Sequence, residues 1–260
     1  MRVDIFEQQV EALHKTCMVT LGAKSDEYGN DTDGFANFKE PCVLLHKTPF
    51  EVWLGYWAKG MISLYDNVAN KVYDESFADK LISSIGYLYL LSSMVKYDVE
   101  KEEISKSTIL EDAEKTFKKC KDILVQKREV YAKNDEDRLG MFKRAATVSL
   151  MAPEEVLVSY MVKHTNSIIR MIQNGTFKDS PELFSEKVGD QINYLYLLDT
   201  LVSDTGEEIN EELVLKAKKR TAKKKQEEKT VEVPADTDPL PFEVPSESEK
   251  IEETEEEDFI

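Results

Sequence analysis

One stretch of this chain occurs twice. PFEVWLGYWAKGMIS from Pro49 is followed by ESFADKLISSIGYLYLL from Glu75, and PEEVLVSYMVKHTNS from Pro153 is followed by ELFSEKVGDQINYLYLL from Glu182. Pro49, Glu51, Val52, Tyr56, Lys59 and Ser63 fall without a gap on Pro153, Glu155, Val156, Tyr160, Lys163 and Ser167. Glu75, Phe77, Lys80, Ile85 and Tyr87 to Leu91 fall on Glu182, Phe184, Lys187, Ile192 and Tyr194 to Leu198. A repeat whose unit contains two helices implies one structural unit used twice, each copy burying its apolar face on a neighbour.

The spacing predicts helices over about Asp4 to Lys24, Pro49 to Ala69, Glu75 to Lys96, Thr108 to Asn134, Pro153 to Asn174 and Pro181 to Ser203. Thr48 before Pro49 reads as an N-cap, and Ser107 or Thr108 reads as the cap of the fourth of these helices, with Glu111 at capping-box distance from Thr108. The stretches DEYGNDTDGFANFKEP and NDEDRLGMFKRAATVSLMA read as loops, and a last helix is expected from about Glu207. No alternating strand pattern appears. The expected fold is all-α: two tandem helical repeats over residues 1–97 and 107–204 form a bundle, and a helix with a basic end spans 205–229. Residues 230–260 are expected to be a disordered acidic tail.

Charge and cysteine usage narrow the function. The net charge is -17, and it is unevenly spread. KAKKRTAKKKQEEK, from Lys216, has eight basic and two acidic residues, whereas the stretch from Thr230 has twelve acidic residues against Lys250 alone. The remainder is too acidic for a general nucleic-acid-binding core. Cys17, Cys42 and Cys120 form no ligand spacing and read as reduced thiols of a cytoplasmic protein. The start MRVDIFEQQVEAL has no apolar signal region, and no run approaches the ~18 apolar residues of a membrane span. A soluble, cytoplasmic protein is expected, and the sequence leaves self-association open.

The polar residues that differ between the copies are the candidate chemistry. Tyr56, Lys59 and Ser63 share one helix face, as do Tyr160, Lys163 and Ser167, so Lys59 and Lys163 are candidate phosphate ligands. Lysines that snorkel to solvent or pair with a carboxylate are the plainer explanation. Glu182, Glu186, Asp190 and Asn193 lie within about 80° of one another at 100° per residue, a stripe of oxygen ligands suited to Mg²⁺. An acidic solvated face is the alternative. The first copy has Glu75, Asp79, Ser83 and Gly86 there, so half of the oxygen ligands are gone. His164 replaces Gly60 beside Lys163 and is a candidate catalytic base, or a structural histidine. GNDTDGFANFKE puts Asp31, Asp33, Gly34 and Glu40 at EF-hand loop positions, but Gly29 stands where the first aspartate is needed.

Together these elements resemble the nucleotide-modification-associated domain family, known largely from phage and bacterial genomes. Its DYG-type loop corresponds to Glu27, Tyr28 and Gly29, followed by Phe35, Asn37 and Phe38. Its Lys-His helix corresponds to Lys163 and His164, and its final helix to Asp190, Asn193 and Tyr194. The resemblance covers most of residues 1–204, and each copy satisfies part of it. It implies nucleotide binding with Tyr28, Lys59, Lys163 and Asn193 on the ligand.

EKVGDQINYLYLL, from Glu186, is also similar to the acidic helix of all-α, MazG-type nucleoside triphosphate pyrophosphohydrolases, although Lys187 occupies an acidic position of that family and the paired ExxE is missing. That likeness implies Mg²⁺-bound water attacking a phosphoanhydride, with Glu182, Glu186 and Asp190 on the metal, Glu186, Asp190 and His164 as catalytic residues, and Lys163 on phosphate. The ending EETEEEDFI resembles the tips by which single-stranded-DNA-binding proteins dock onto partners. It implies a non-enzymatic alternative in which the tail recruits or inhibits a replication or defence partner; a solubilising tail is the plain reading.

Overall fold

The structure is a computed structural model, and it describes residues 1–28, 32–131 and 137–204. The expected helix from Glu207, the basic segment and the acidic tail lie outside the described residues. Eight helices follow one another: α1 Val3–Tyr28, α2 Ala36–Leu45, α3 Pro49–Ala69, α4 Glu75–Met94, α5 Lys106–Tyr131, α6 Gly140–Ser149, α7 Pro153–Gln173 and α8 Pro181–Asp204. The described residues contain no strand, so the all-α expectation holds. None of the described helices is long and apolar enough to cross a membrane.

Both stretches read as loops contain a helix. α2 and α6 each have 10 residues and follow an aspartate that builds the turn before them. Asp33 Oδ1 accepts from the Phe35 and Ile104 N–H groups at 3.1 and 3.3 Å, and its other oxygen pairs with Lys39 at 2.5 Å. Asp137 accepts from the Leu139 N–H at 3.0 Å, pairs with Lys143 at 2.7 Å and takes the Met1 amino group at 2.5 Å. Asp33 therefore ties the turn to the chain ahead of α5, and Gly34 adds to the tie by donating its N–H to the Ile104 carbonyl at 2.9 Å.

The helix lengths run 26, 10, 21 and 20 residues, then 26, 10, 21 and 24. α1 to α4 form the first half and α5 to α8 the second. α3 begins with a complete capping box: the Glu51 N–H donates to Thr48 Oγ1 at 3.3 Å, and the Thr48 N–H donates to Glu51 Oε2 at 2.9 Å. α7 has Ala152 at the cap and keeps only the return bond, Ala152 N–H to Glu155 Oε2 at 2.8 Å. The cap of α5 is Ser105, whose Oγ accepts from the Thr108 N–H at 3.2 Å, ahead of both Ser107 and Thr108, where it was expected.

The apolar runs GYLYLL and NYLYLL occupy α4 and α8, which pack against each other at the centre. α4 also packs on α1, α3 and α5, and α8 on α1, α5 and α7. The halves meet through equivalent helices, α1 on α5, α3 on α7 and α4 on α8. Counting from the helix starts, His14 corresponds to Phe117, and their rings stack at 3.6 Å and 5°. Tyr89 and Tyr196, aligned in the sequence repeat, share a hydroxyl hydrogen bond of 2.6 Å. Both contacts join matching positions of the two halves. All described residues fall in one compact unit, Met1–Lys216.

Candidate functional site

The repeat leaves corresponding places in the two halves filled by different residues, and in the first half the result is a cavity of about 330 Å³. α1 contributes Cys17, Thr20, Leu21, Lys24 and Ser25, and the turn before α2 and its first residues contribute Gly34 and Asn37. α3 contributes Tyr56, and α4 contributes Ile82, Ser83, Gly86, Tyr87 and Leu90. Helical spacing aligns Ser83, Gly86, Tyr87 and Leu90 on one stripe of α4. Phe38 braces both tyrosines, with ring centroids 6.0 Å from Tyr56 and 6.4 Å from Tyr87.

The open space comes from small residues. A Cβ added at Gly86 meets nothing within 4 Å. The second half has Asn193 at that place, Asp190 at the place of Ser83, His164 at the place of Gly60 and Met141 at the place of Asn37. Asn193 is buried, and neither atom of its amide has a hydrogen-bond partner among the described residues. His164 lies 3.7 Å from Asp190 through Nδ1, and its ring is 5.3 Å from that of Tyr194. Burial lowers the pKa of His164; Asp190 opposes the shift and Lys187, Lys163 and Lys127 add to it, leaving a neutral imidazole at pH 7.

One lysine behaves differently in the two halves. Lys24 and Lys127 occupy the same place on α1 and α5. Lys127 Nζ donates to Asp190 Oδ1 at 2.7 Å, whereas Lys24 Nζ donates to the hydroxyl of Ser83 at 3.0 Å. Lys24 is an exposed residue that borders the cavity. Burial lowers its pKa, opposed by Asp79 and Glu27 and aided by Lys80. The cysteines repeat more closely: Cys17 Sγ faces the Ile82 carbonyl at 4.0 Å and Cys120 Sγ the Gly189 carbonyl at 3.8 Å. Both thiols are raised by burial, that of Cys120 to about 12, so both stay protonated and unreactive.

The residues singled out from sequence separate into three places. Tyr28 ends α1, one turn beyond Lys24; its side chain is outside the described residues. Lys59 and Lys163 point to solvent, and the Ser167 hydroxyl is spent on the Lys163 carbonyl of its own helix at 2.9 Å. Glu182, Glu186 and Asp190 line a groove with Lys115, Lys119 and Lys127 of α5. There Glu186 pairs with Lys187 at 3.0 Å, and Asp190 with Lys127. Among the described residues no three His, Cys, Asp or Glu side chains converge as metal ligands. Lysine ammoniums stand where a divalent cation would need further oxygens, so this donor set does not fit Mg²⁺ and no step is derived through it.

Lys24 was missed because it lies outside the aligned blocks. Ser83 and Gly86 were noticed, but as lost ligands, when their effect is to make room. Compared with known proteins, the chain matches no family model, no curated protein and no solved structure.

Proposed function

We propose that this protein binds a nucleotide in the first-half cavity. The observation that carries this reading is the cavity itself, opened by Gly86 and Ser83 where the second half has Asn193 and Asp190. Its volume of about 330 Å³ falls within the range of small-molecule sites. Tyr56, Tyr87 and Leu90 supply a flat, mostly apolar wall on which a heteroaromatic base can lie. The Asn37 amide offers a donor and an acceptor to the edge of such a ring. This is a binding function, with turnover of the bound nucleotide left to assay.

Titration calorimetry of the full chain against (deoxy)nucleosides and their phosphates tests the proposal. At least one nucleotide should bind, and Gly86→Asn should abolish binding while leaving the melting temperature close to that of the parent, because the new side chain enters open space. Absence of any binding, or undiminished binding by Gly86→Asn, would sink the reading.

A partner-recruiting role is a second reading with its own observation. Val148 and Leu150, at the corner between α6 and α7, are 87% and 93% exposed beside Met141, Met151 and Tyr160. Under that reading, Leu150→Asp would weaken capture of a purified replication or defence partner and leave nucleotide binding alone.

A further inference from the structure

We infer that the ligand of the first-half cavity carries a single anionic group that binds the ammonium of Lys24, making it a nucleoside monophosphate in preference to a triphosphate. This inference rests on the nucleotide reading above and adds the charge class of the ligand.

The argument begins from the two lysines. In the second half the protein supplies the anion itself, because the Asp190 carboxylate lies 2.7 Å from Lys127 Nζ. In the first half the same helix position offers only the neutral Ser83 hydroxyl, 3.0 Å from Lys24 Nζ. An ammonium has three donors, and this contact uses one. Lys24 lines the cavity together with Ser83, so an anion lodged there lies within reach of its other donors. The Asp190 carboxylate thus marks, in the second half, the place that a ligand oxygen takes in the first.

Charge balance sets the number of phosphates. Lys24 is the one cation among the described residues lining the cavity. It also feels the carboxylates of Asp79 and Glu27, which repel a chain of phosphates, and the ammonium of Lys80, which does not line the cavity. A single phosphate satisfies the ammonium, whereas a triphosphate would bring more negative charge than the one lining cation balances. The apolar remainder of the lining strengthens the one charge-assisted bond, which sharpens the discrimination.

The test measures affinity ratios on the full-length chain, using deoxynucleosides with their 5′-mono- and triphosphates. The parent should prefer monophosphate over both nucleoside and triphosphate. Lys24→Met keeps the stem and removes the charge; it should weaken monophosphate binding ~10- to 100-fold and leave the nucleoside unchanged. Ser83→Asp should lower the monophosphate-to-nucleoside ratio in the same way by recreating the Lys127–Asp190 pair, whereas the equally bulky but neutral Ser83→Asn, whatever its size costs both ligands, should leave that ratio within ~3-fold of the parent. Thermal melting confirms that each variant is folded, and the two routes to losing the free charge guard against either variant misfolding. If nucleoside binds and Gly86→Asn abolishes it, but the monophosphate-to-nucleoside ratio ignores Lys24→Met and Ser83→Asp, the anion assignment falls and the cavity reading stands. If neither nucleosides nor nucleotides bind, both fall.

Discussion

Asp199 illustrates how much can depend on one residue. It is buried on α8, where the equivalent place on α4 has Ser92, and burial pushes its carboxyl up to about 7 from an ordinary value of 3.8. The folded protein therefore holds a proton that the unfolded chain releases between those two pH values. Its contribution to stability is most favourable below about pH 4 and is progressively lost as pH rises to about 7, beyond which the full cost of burying the charge remains. Asp199→Asn removes the charge and keeps the shape. We expect the variant to melt above the parent at pH 8 and the gap to close by pH 4; a parallel pair of melting curves across that range would refute this. The same kind of single-residue difference made the candidate site hard to read. Ser83 and Gly86 could be counted as missing oxygen ligands in a sequence alignment. Only the packing of α1, α2, α3 and α4 around them turns two small residues into a cavity.

At the scale of helices, those with a full apolar stripe were legible and the short ones were not. α3 and α7 begin at the prolines expected of them, and Thr48 caps α3 as its spacing predicts. α2 and α6 escaped notice because each has 10 residues, and α2 has Pro41 inside it. Their starts depend on Asp33 and Asp137, whose partners include residues distant in sequence, Ile104 and Met1. No local pattern announces such a turn. The two equivalent caps of α3 and α7 offer a direct comparison. Ala152 has the extended backbone of a cap (φ -70°, ψ 150°) and already receives Glu155, but it has no side-chain oxygen for the third N–H of α7. Ala152→Thr copies Thr48 and completes the box. It should stabilise the protein by about 1 kcal/mol, read as a rise in the urea midpoint at unchanged slope. Thr48→Ala should lower the midpoint by a similar amount, and a null result for both would show that neither cap is coupled to global unfolding.

For the whole molecule, the repeated stretches are legible in the sequence, but the way the helices that hold them interlock is not. The contacts between matching positions use His14 against Phe117, a pair too dissimilar to register as a repeat, and Tyr89 against Tyr196, which are visible as a repeat but silent about touching. That seam makes the halves interdependent. The Tyr89 hydroxyl stands between two buried partners, Tyr196 Oη at 2.6 Å and His14 Nδ1 at 3.1 Å, while Tyr196 has only Tyr89 in this chain of contacts. Removing the middle hydroxyl strands two polar atoms, and removing the end one leaves Tyr89 still bonded to His14. Tyr89→Phe should therefore destabilise more than Tyr196→Phe, by roughly 2–4 against about 1 kcal/mol, because an unpaired buried group costs more than a lost bond returns. The two tryptophans, Trp53 and Trp57, are both on α3, so tryptophan fluorescence follows that helix and its immediate packing, whereas far-UV circular dichroism follows the helices of both halves. With α1 on α5, α3 on α7 and α4 on α8 buried in one core, the two signals should trace a single urea transition in the parent. They should move together in Tyr89→Phe even though α3 itself is untouched. Separation of the fluorescence and dichroism curves in either protein would mean that the halves unfold independently, and that the hydroxyl and ring contacts between them carry little of the stability assigned to them.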